Sequence, residues 1–441
     1  MSAMVVAGGS IGGLAVALFA ARAGHDVVLA EADGFPVPSG VEETWRGWKR
    51  RGVPQFRQLH GTQALGRAKL ASRAPDVLDR LRTAGAHDVD LLASRSDARQ
   101  RTGAEGLVQF RCRRPVLEWV LRQAVAAEPR VGLRSAVEVT GLVVAAGCRP
   151  RVTGVATTRG KLPADVVVDA TGRRSRVGEW CVRSGTAPPT TCTVDTRQVY
   201  FTQWFRRDAA FTGDDPMLRV ELPCATLLVL PVDAGWFSAT FFAPAHDRGL
   251  RAALHSTDGF LGALRAVPSA STWIEDARPI GTVQFMGRLA NQLRRPSARS
   301  PAGLLPVADA AVCTNPTWGR GAALALAHAD ALVDLLDAGE EPATLTAAFT
   351  AWTVENLEPW FHDTVLLDAE TNARWAGARP APSPERPFSH TDAVRTTRTD
   401  AGLHVAYLRY RNLLDMPAAF WSDPEIVDAV HAGSGALGGA P

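Results

Sequence analysis

A short apolar run, a cluster of glycines and an alanine-rich helix open the chain: VVAGGSIGGLAVALFAARAGHDVVLAE, residues 5 to 31. No other stretch restricts the fold as tightly, because a backbone this bare suits a strand that turns sharply into a helix. Residues 3 to 7 read as strand, 12 to 24 as helix and Asp26 to Leu29 as the next strand, which together make a βαβ unit. Gly8 and Gly13 take the first and last places of G-x-G-x-x-G, and Ser10 takes the middle one. The first glycine permits the turn, the last lets helix and strand approach, and the small middle residue leaves room for a pyrophosphate at the helix N-terminus. Gly9, Ile11 and Gly12 complete the expected cradle. Glu31 ends the second strand, where an acid accepts hydrogen bonds from a ribose 2′-hydroxyl. That favours FAD or NAD over NADP as the bound dinucleotide, without choosing between the first two.

Length and composition limit what such a unit belongs to. At 441 residues and 46% hydrophobic content the chain exceeds one ordinary domain and can bury a substantial core, so two interlocked domains are expected. The formal net charge of +3 is spread thinly along the whole length, which argues against nucleic acid as a partner. No run of about 18 uncharged apolar residues occurs. The N-terminus reads as strand, turn and helix rather than as a cleavable leader, so no stable membrane insertion is expected and the expected location is cytoplasmic. Cys112, Cys148, Cys181, Cys192, Cys224 and Cys313 lie far apart, with no C-x-x-C pair and no histidine at ligand spacing. Neither a metal site nor a disulfide framework is expected from them. The twelve tryptophans, from Trp45 to Trp421, are read mostly as core and partly as walls of an apolar pocket.

Along the chain, a basic, turn-rich passage (46 to 60) leads into helix-like sequence from 64 to 86, a second helical stretch at 114 to 127, and several strands between 130 and 170. Strands with alternating or aromatic faces follow at 199 to 206, in TLLVLPV (226 to 232) and at 236 to 242. The expected fold is therefore α/β: a Rossmann-like nucleotide-binding domain with insertions (1–188) and a β-sheet substrate domain (189–290). The first domain then returns with long helices (291–375), ahead of a Pro-rich linker, C-terminal helices and a tail expected to be disordered after 432 (376–441).

Two later stretches distinguish the dinucleotides. ADVVVDATGRRSRV (164–177) and GLLPVADAAVCTNPTWGRGAAL (303–324) resemble, in order and spacing, the second and third fingerprints of FAD-dependent monooxygenases of the aromatic-hydroxylase class. The resemblance implies that Asp309 binds the ribityl chain of FAD, and that Gly319, Arg320, Gly321 and Ala322 bring backbone close to the flavin ring beside Pro316. Asp169, Gly172 and Ser175 match the second fingerprint. Thr171 stands where many members have a second aspartate, and Ala308 where a glycine usually precedes Asp309. Arg114 resembles the class's phosphate-binding arginine, with Arg111 and Arg113 as competitors; a guanidinium suits phosphate through its planar fork of donors.

The passage RGVPQFRQLHGTQALGR (51–67) is similar to the GVPQ-x-R-x-x-H stretch of actinobacterial FAD-dependent epoxidases and hydroxylases of secondary metabolism, a group related in fold to squalene epoxidases. This makes Arg57 and His60 candidates for positions near the flavin, with His362 a further candidate for proton movement. The resemblance implies hydroxylation or epoxidation of a lipophilic or aromatic metabolite through a flavin C4a-hydroperoxide. O₂ would supply the oxygen, and NADPH or NADH the electrons, directly or through a partner flavin reductase. Trp204, Phe241 and Trp318 are the candidate substrate-pocket walls. The alternatives on the same fold are a flavin-dependent halogenase, a reductase or dehydrogenase, and an inactive FAD binder. A halogenase needs a lysine beyond the flavin and usually a W-x-W-x-I-P segment. The chain has lysine only at Lys49, Lys69 and Lys161, and Trp45 and Trp48 sit three apart in a basic loop.

Overall fold

All four residues of the first strand, Met4–Ala7, are buried, because different layers cover its two faces. Met4 and Val6 share a core with helices Ile11–Arg22, Arg114–Ala127 and Gly321–Asp337. Val5 and Ala7 share another with the antiparallel strands Val139–Ala145, Arg151–Thr157 and Gly160–Pro163. Alternating side chains that are apolar on both faces give the continuous run seen in the sequence. The computed structural model describes residues 3–437 apart from 148, 212–214, 216 and 379–381.

The central sheet is parallel, in the order Leu304–Pro306, Val166–Asp169, Met4–Ala7, Val27–Glu31, Val131–Ser135. Its edge strand Leu304–Pro306 comes from the returning segment, so the nucleotide-binding architecture is closed by residues far apart in sequence. Ala7 pairs with Asp169 and Asp169 with Pro306, so three neighbouring strands end level. The chain thus has the mixed α/β, Rossmann-like architecture expected for it, with an inserted sheet and a helical C-terminal region.

The inserted sheet is five-stranded and antiparallel, in the order Leu218–Glu221, Thr226–Pro231, Trp236–Pro244, Gln198–Arg207, Ala277–Met286. One face (Phe201, Phe205, Leu227, Phe237, Phe241) packs on helices Arg248–His255 and Thr257–Arg265 through Leu254, Phe260 and Leu264. The other (Tyr200, Leu228, Phe242, Met286) looks toward the nucleotide-binding half.

Beyond Gly321–Asp337 the chain is helical, and helices Glu358–Trp375, Ala401–Arg411 and Pro417–Trp421 share a core with Trp318 and Leu324. The tail expected to be disordered after 432 instead continues helix Pro424–Leu437; residues 438–441 lie outside the described residues. The helical stretch expected over 64–86 is two helices, Ala64–Arg73 and Pro75–Thr83, since the residue before a proline avoids helical backbone and Ala74 has φ −150°. Among the described residues no helix is long and apolar enough to cross a membrane.

Candidate active site

Because three parallel strands end level, the three sequence motifs meet in one place. Gly8–Ser10 follows Ala7, Ala170–Ser175 follows Asp169, and Val307–Asp309 follows Pro306. Open α/β sheets bind ligands at this carboxyl edge. Two glycines make the turn possible: Gly8 adopts φ +104°, and a Cβ on Gly13 would lie 1.8 Å from the Gly8 carbonyl oxygen. In the second turn, Asp169 accepts from the Thr171 amide (3.0 Å), the Thr171 hydroxyl (2.6 Å) and the Ser175 hydroxyl. Burial raises the Asp169 pKa against those hydrogen bonds, and a second aspartate at Thr171 would replace a donor to this carboxylate with a like charge.

Glu31 lies where the ribose of a dinucleotide is expected, and it accepts from the Gly9 and Asp33 amides (both 2.7 Å) and from Arg50 (3.0 Å). Its two oxygens offer about four lone-pair sites, so one acceptor site is left for a hydroxyl. Of the three candidate arginines, Arg114 is the one at the glycine turn. Its Nη2 donates to the Ser10 hydroxyl (2.8 Å), its Nε to Glu118 (2.7 Å), and its Nη1 faces His60 Nε2 at 2.7 Å. Arg111 points to the Asp215 carbonyl, and Arg113 is sealed in an ion pair with Asp233 (2.6 Å). His60 Nδ1 donates to the Gln58 carbonyl (3.0 Å), leaving Nε2 to accept from Arg114. Burial and the adjacent guanidinium depress its pKa to about 3, which keeps it neutral at physiological pH.

Asp309 sits in the third turn with its carboxylate facing a cavity. Burial raises its pKa, opposed by Arg114, Arg173 and Arg294. The turn is held from behind by His328, whose Nδ1 accepts the Ala308 amide (3.1 Å) while Nε2 donates to Thr353 (2.9 Å). The loop Pro316–Gly319 and the N-terminus of helix Gly321–Asp337 close the same cavity, with Gly319, Gly321 and Ala322 in its wall. The Arg320 side chain is directed away from it, into the helical core, onto Asp363 (2.5 Å), Thr364 (2.8 Å) and Tyr410 (3.0 Å). Only its backbone stands in the loop.

Three cavities run in line. The first holds Gly8, Gly9, Glu31 and Arg50; it shares Ser10, Thr171 and Arg174 with a second, of about 1030 Å³ including its open mouth, which holds Ile11, Gly12, Arg114, Gly172, Arg173 and Asp309. The second meets a third, of about 1170 Å³, at His60, Gly61, Pro316 and Gly319. The third runs under the inserted sheet. Arg114, Arg173, Arg174 and the helix N-terminus at Ile11 surround the middle cavity and suit a pyrophosphate, and the Asp309 carboxylate beyond them suits a chain of hydroxyls.

The sheet-side cavity corrects two of the three pocket walls expected from sequence. Phe241 faces the helices, and its neighbour Phe242 faces the cavity, because strand side chains alternate between faces. Trp204 is on the cavity side of the sheet but packs in a separate cluster with Trp45 and Trp236, their centroids 5.2 and 6.3 Å away. Trp318 does line the cavity. Arg57 lines none of these three cavities: it stacks on Trp45 (5.4 Å) and lines a separate surface groove with Arg46, Arg206 and Arg278. His362 is exposed and pairs with Glu358 on its own helix. Sequence reasoning missed Arg50, Glu118, Tyr200, Arg219, Phe242, Tyr407 and Arg411. Of these only Glu118 carried a local signal, its i,i+4 spacing from Arg114 on one helix.

No protein-family model matches the chain. It is 28% identical over 461 residues to Protein Rv3254 of Mycobacterium tuberculosis (strain ATCC 25618 / H37Rv), covering 93% of this chain and 89% of that one. Its fold is similar to that of the myxobacterial chondrochloren halogenase CndH, a variant of FAD-dependent halogenases, with a TM-score of 0.65 at 16% identity over 98% of this chain and 96% of that one. It is similar too to PqsL, a probable FAD-dependent monooxygenase from Pseudomonas aeruginosa, with a TM-score of 0.60 at 17% identity over 85% of this chain and 98% of that one. The fold is thus one used by FAD-dependent halogenases and monooxygenases alike.

Proposed function

We propose that the chain binds FAD and is a monooxygenase that transfers one oxygen atom from O₂ to an electron-rich carbon of a lipophilic or aromatic secondary metabolite. The carrying observation is the line of three cavities from Glu31 past Ser10 and Asp309 to a large apolar chamber under the sheet. In this reading Glu31 accepts from the adenosine ribose, Ser10, Arg114, Arg173 and Arg174 hold the pyrophosphate, and Asp309 accepts from the ribityl hydroxyls. The loop Pro316–Gly319 meets the ring. Bound and reduced, the flavin activates O₂, and the hard chemistry is the cofactor's. The chain's own part is to exclude water and orient the substrate, through Leu228, Leu230, Phe242 and Met286. Electrons come from NADPH or NADH, directly or through a partner reductase. In this reading His60 is a neutral prop that aims Arg114.

The likeness to CndH favours a second reading, halogenation. Against it, no lysine lines either chamber: Lys69 pairs with Asp330 (2.5 Å), and Lys49 and Lys161 are exposed. The test is to load the purified chain with FAD and reduce it with NADPH, NADH or a flavin reductase. It is then mixed with a panel of phenols and naphthols, bromide and isotopically labelled O₂. Hydroxylated or epoxidised product carrying label, formed with or without bromide, is expected. Product formed only with bromide would establish the halogenase, and a chain that retains no FAD would overturn both readings.

A further inference from the structure

The chamber under the sheet is apolar over most of its wall, but one end is cationic. Arg219 projects there from strand Leu218–Glu221, and Arg411 from the last turn of helix Ala401–Arg411. Their guanidinium carbons lie 5.5 and 4.9 Å from the centroid of the same ring, Trp318. Arg219 donates through Nε to Glu221 (2.7 Å), a carboxylate that Arg374 and Thr226 also occupy. The Arg411 side chain, half-buried, makes no ion pair and no hydrogen bond among the described residues, and its Nη1 is shut off from solvent without a partner. Burial lowers its pKa, and nearby Arg320 and Arg219 lower it further; only the hydroxyls of Tyr407 and Tyr410 oppose them.

Other buried arginines have partners: Arg113 has Asp233, Arg320 and Arg386 share Asp363, and Arg111, Arg122 and Arg294 donate to carbonyl or hydroxyl oxygens. A cation sequestered without an anion is costly, and two cations around one aromatic ring add repulsion to that cost. An anion entering the chamber would relieve both, and a guanidinium fork matches a carboxylate with two parallel hydrogen bonds.

We propose that Arg411, assisted by Arg219, receives the carboxylate of an aromatic or lipophilic substrate acid, with the body of the molecule lying along Leu228, Phe242 and Met286. The substrate class is then an amphipathic acid. This inference rests on the oxygen-transfer reading for where reaction occurs, though not for where the charge binds.

The test is therefore a binding experiment that needs no turnover. Benzoate, naphthoate and anthracene carboxylate, each beside its primary amide, are titrated calorimetrically into the FAD-loaded chain. At least one acid should bind about tenfold or more tighter than its neutral amide, which has nearly the same shape. Arg411→Gln should reduce that preference to about twofold or less at unchanged FAD content, while Arg411→Lys should retain part of it. Failure of every acid to exceed its amide in the unaltered protein would overturn the proposal, as would a preference that survives Arg411→Gln. Should Arg411→Gln not fold, Arg219→Gln and the acid-to-amide ratio of the unaltered protein decide, the ratio falling as salt is raised if the charge is read. A clear acid preference in a protein whose reduced flavin transfers no oxygen would refute the oxygen-transfer reading and leave this inference standing.

Discussion

Phe241 and Phe242 are adjacent and almost equally buried, at 2% and 3% exposure, yet truncating them should do different things. Phe241 stands edge-on to Phe260 at 5.2 Å in a closed core between sheet and helices. Removing its ring leaves a void with apolar walls that can relax only in part, so Phe241→Ala should cost about 3–5 kcal/mol. Phe242 stands edge-on to Tyr200 at 4.7 Å and borders an existing chamber. Its removal widens that chamber, so the loss is mainly the transfer of the ring, about 1.5–3 kcal/mol. Urea unfolding of the FAD-loaded variants, fitted with a shared slope, should therefore place the midpoint of Phe241→Ala below that of Phe242→Ala. Calorimetry with the aromatic acids should show the converse, with Phe242→Ala altering affinity and Phe241→Ala leaving it unchanged. If Phe242→Ala is the more destabilised of the two, or if Phe241→Ala changes ligand affinity, the assignment of faces is wrong.

Two further outcomes follow from the site. His328 is buried and its pKa is lowered by burial to about 3, against 6.5 for an ordinary histidine, so the unfolded chain binds a proton that the folded chain refuses. Its contribution is full above the ordinary pKa and is lost as pH falls toward the folded value. The stability difference between the unaltered protein and His328→Gln, measured by urea unfolding, should thus shrink by up to about 1.4 kcal/mol per pH unit below about pH 6.5; a pH-independent difference would contradict the neutral acceptor role toward Ala308. Arg114→Gln strips a donor from Ser10 and a partner from wholly buried Glu118. It should weaken FAD retention by at least about tenfold, and Arg111→Gln should not; equal losses from the two, measured by equilibrium dialysis, would remove Arg114 from the phosphate site.

What was legible in the sequence is local backbone constraint. Gly8, Gly13, Asp169 and Asp309 are each fixed by the turn that follows a parallel strand, and such a turn is spelled within a few neighbouring residues. The parallel sheet then brings the three turns together without further information. The pocket walls were less legible because WFSATFF carries aromatics at consecutive positions. Both faces of that strand are buried, so the period-two contrast that would separate Phe241 from Phe242 is missing. Arg57 and Arg320 were found as chain positions near the site, but spacing does not report where a long side chain turns, and each is drawn away, Arg57 by Trp45 and Arg320 by Asp363. Arg411 was invisible for the opposite reason: an arginine at the end of a C-terminal helix is commonplace in sequence and becomes unusual only when its side chain meets no hydrogen-bond acceptor among the described residues.

The loop that joins the two chambers shows why placement of a turn in space exceeds what its own sequence encodes. Asn315 caps it by accepting from the Thr317 amide (3.2 Å), a local device. Its position in space, however, is set by three distant segments. Tyr200 from the inserted sheet donates to the Asn315 side chain and accepts from the Thr317 amide (3.1 Å), and Asn291 accepts the Asn315 amide (2.6 Å). Asp368, from a C-terminal helix, accepts from Asn315 (2.7 Å) and Trp318 (3.3 Å). Burial raises the Asp368 pKa to about 6 even with those donors. A buried polar network satisfied from several elements fixes one arrangement where an apolar contact would tolerate several. The loop beside Gly319 is thereby held jointly by the sheet that would cover the substrate and by the helix bundle that carries Arg411, so cofactor side and substrate side are positioned by the same hydrogen bonds.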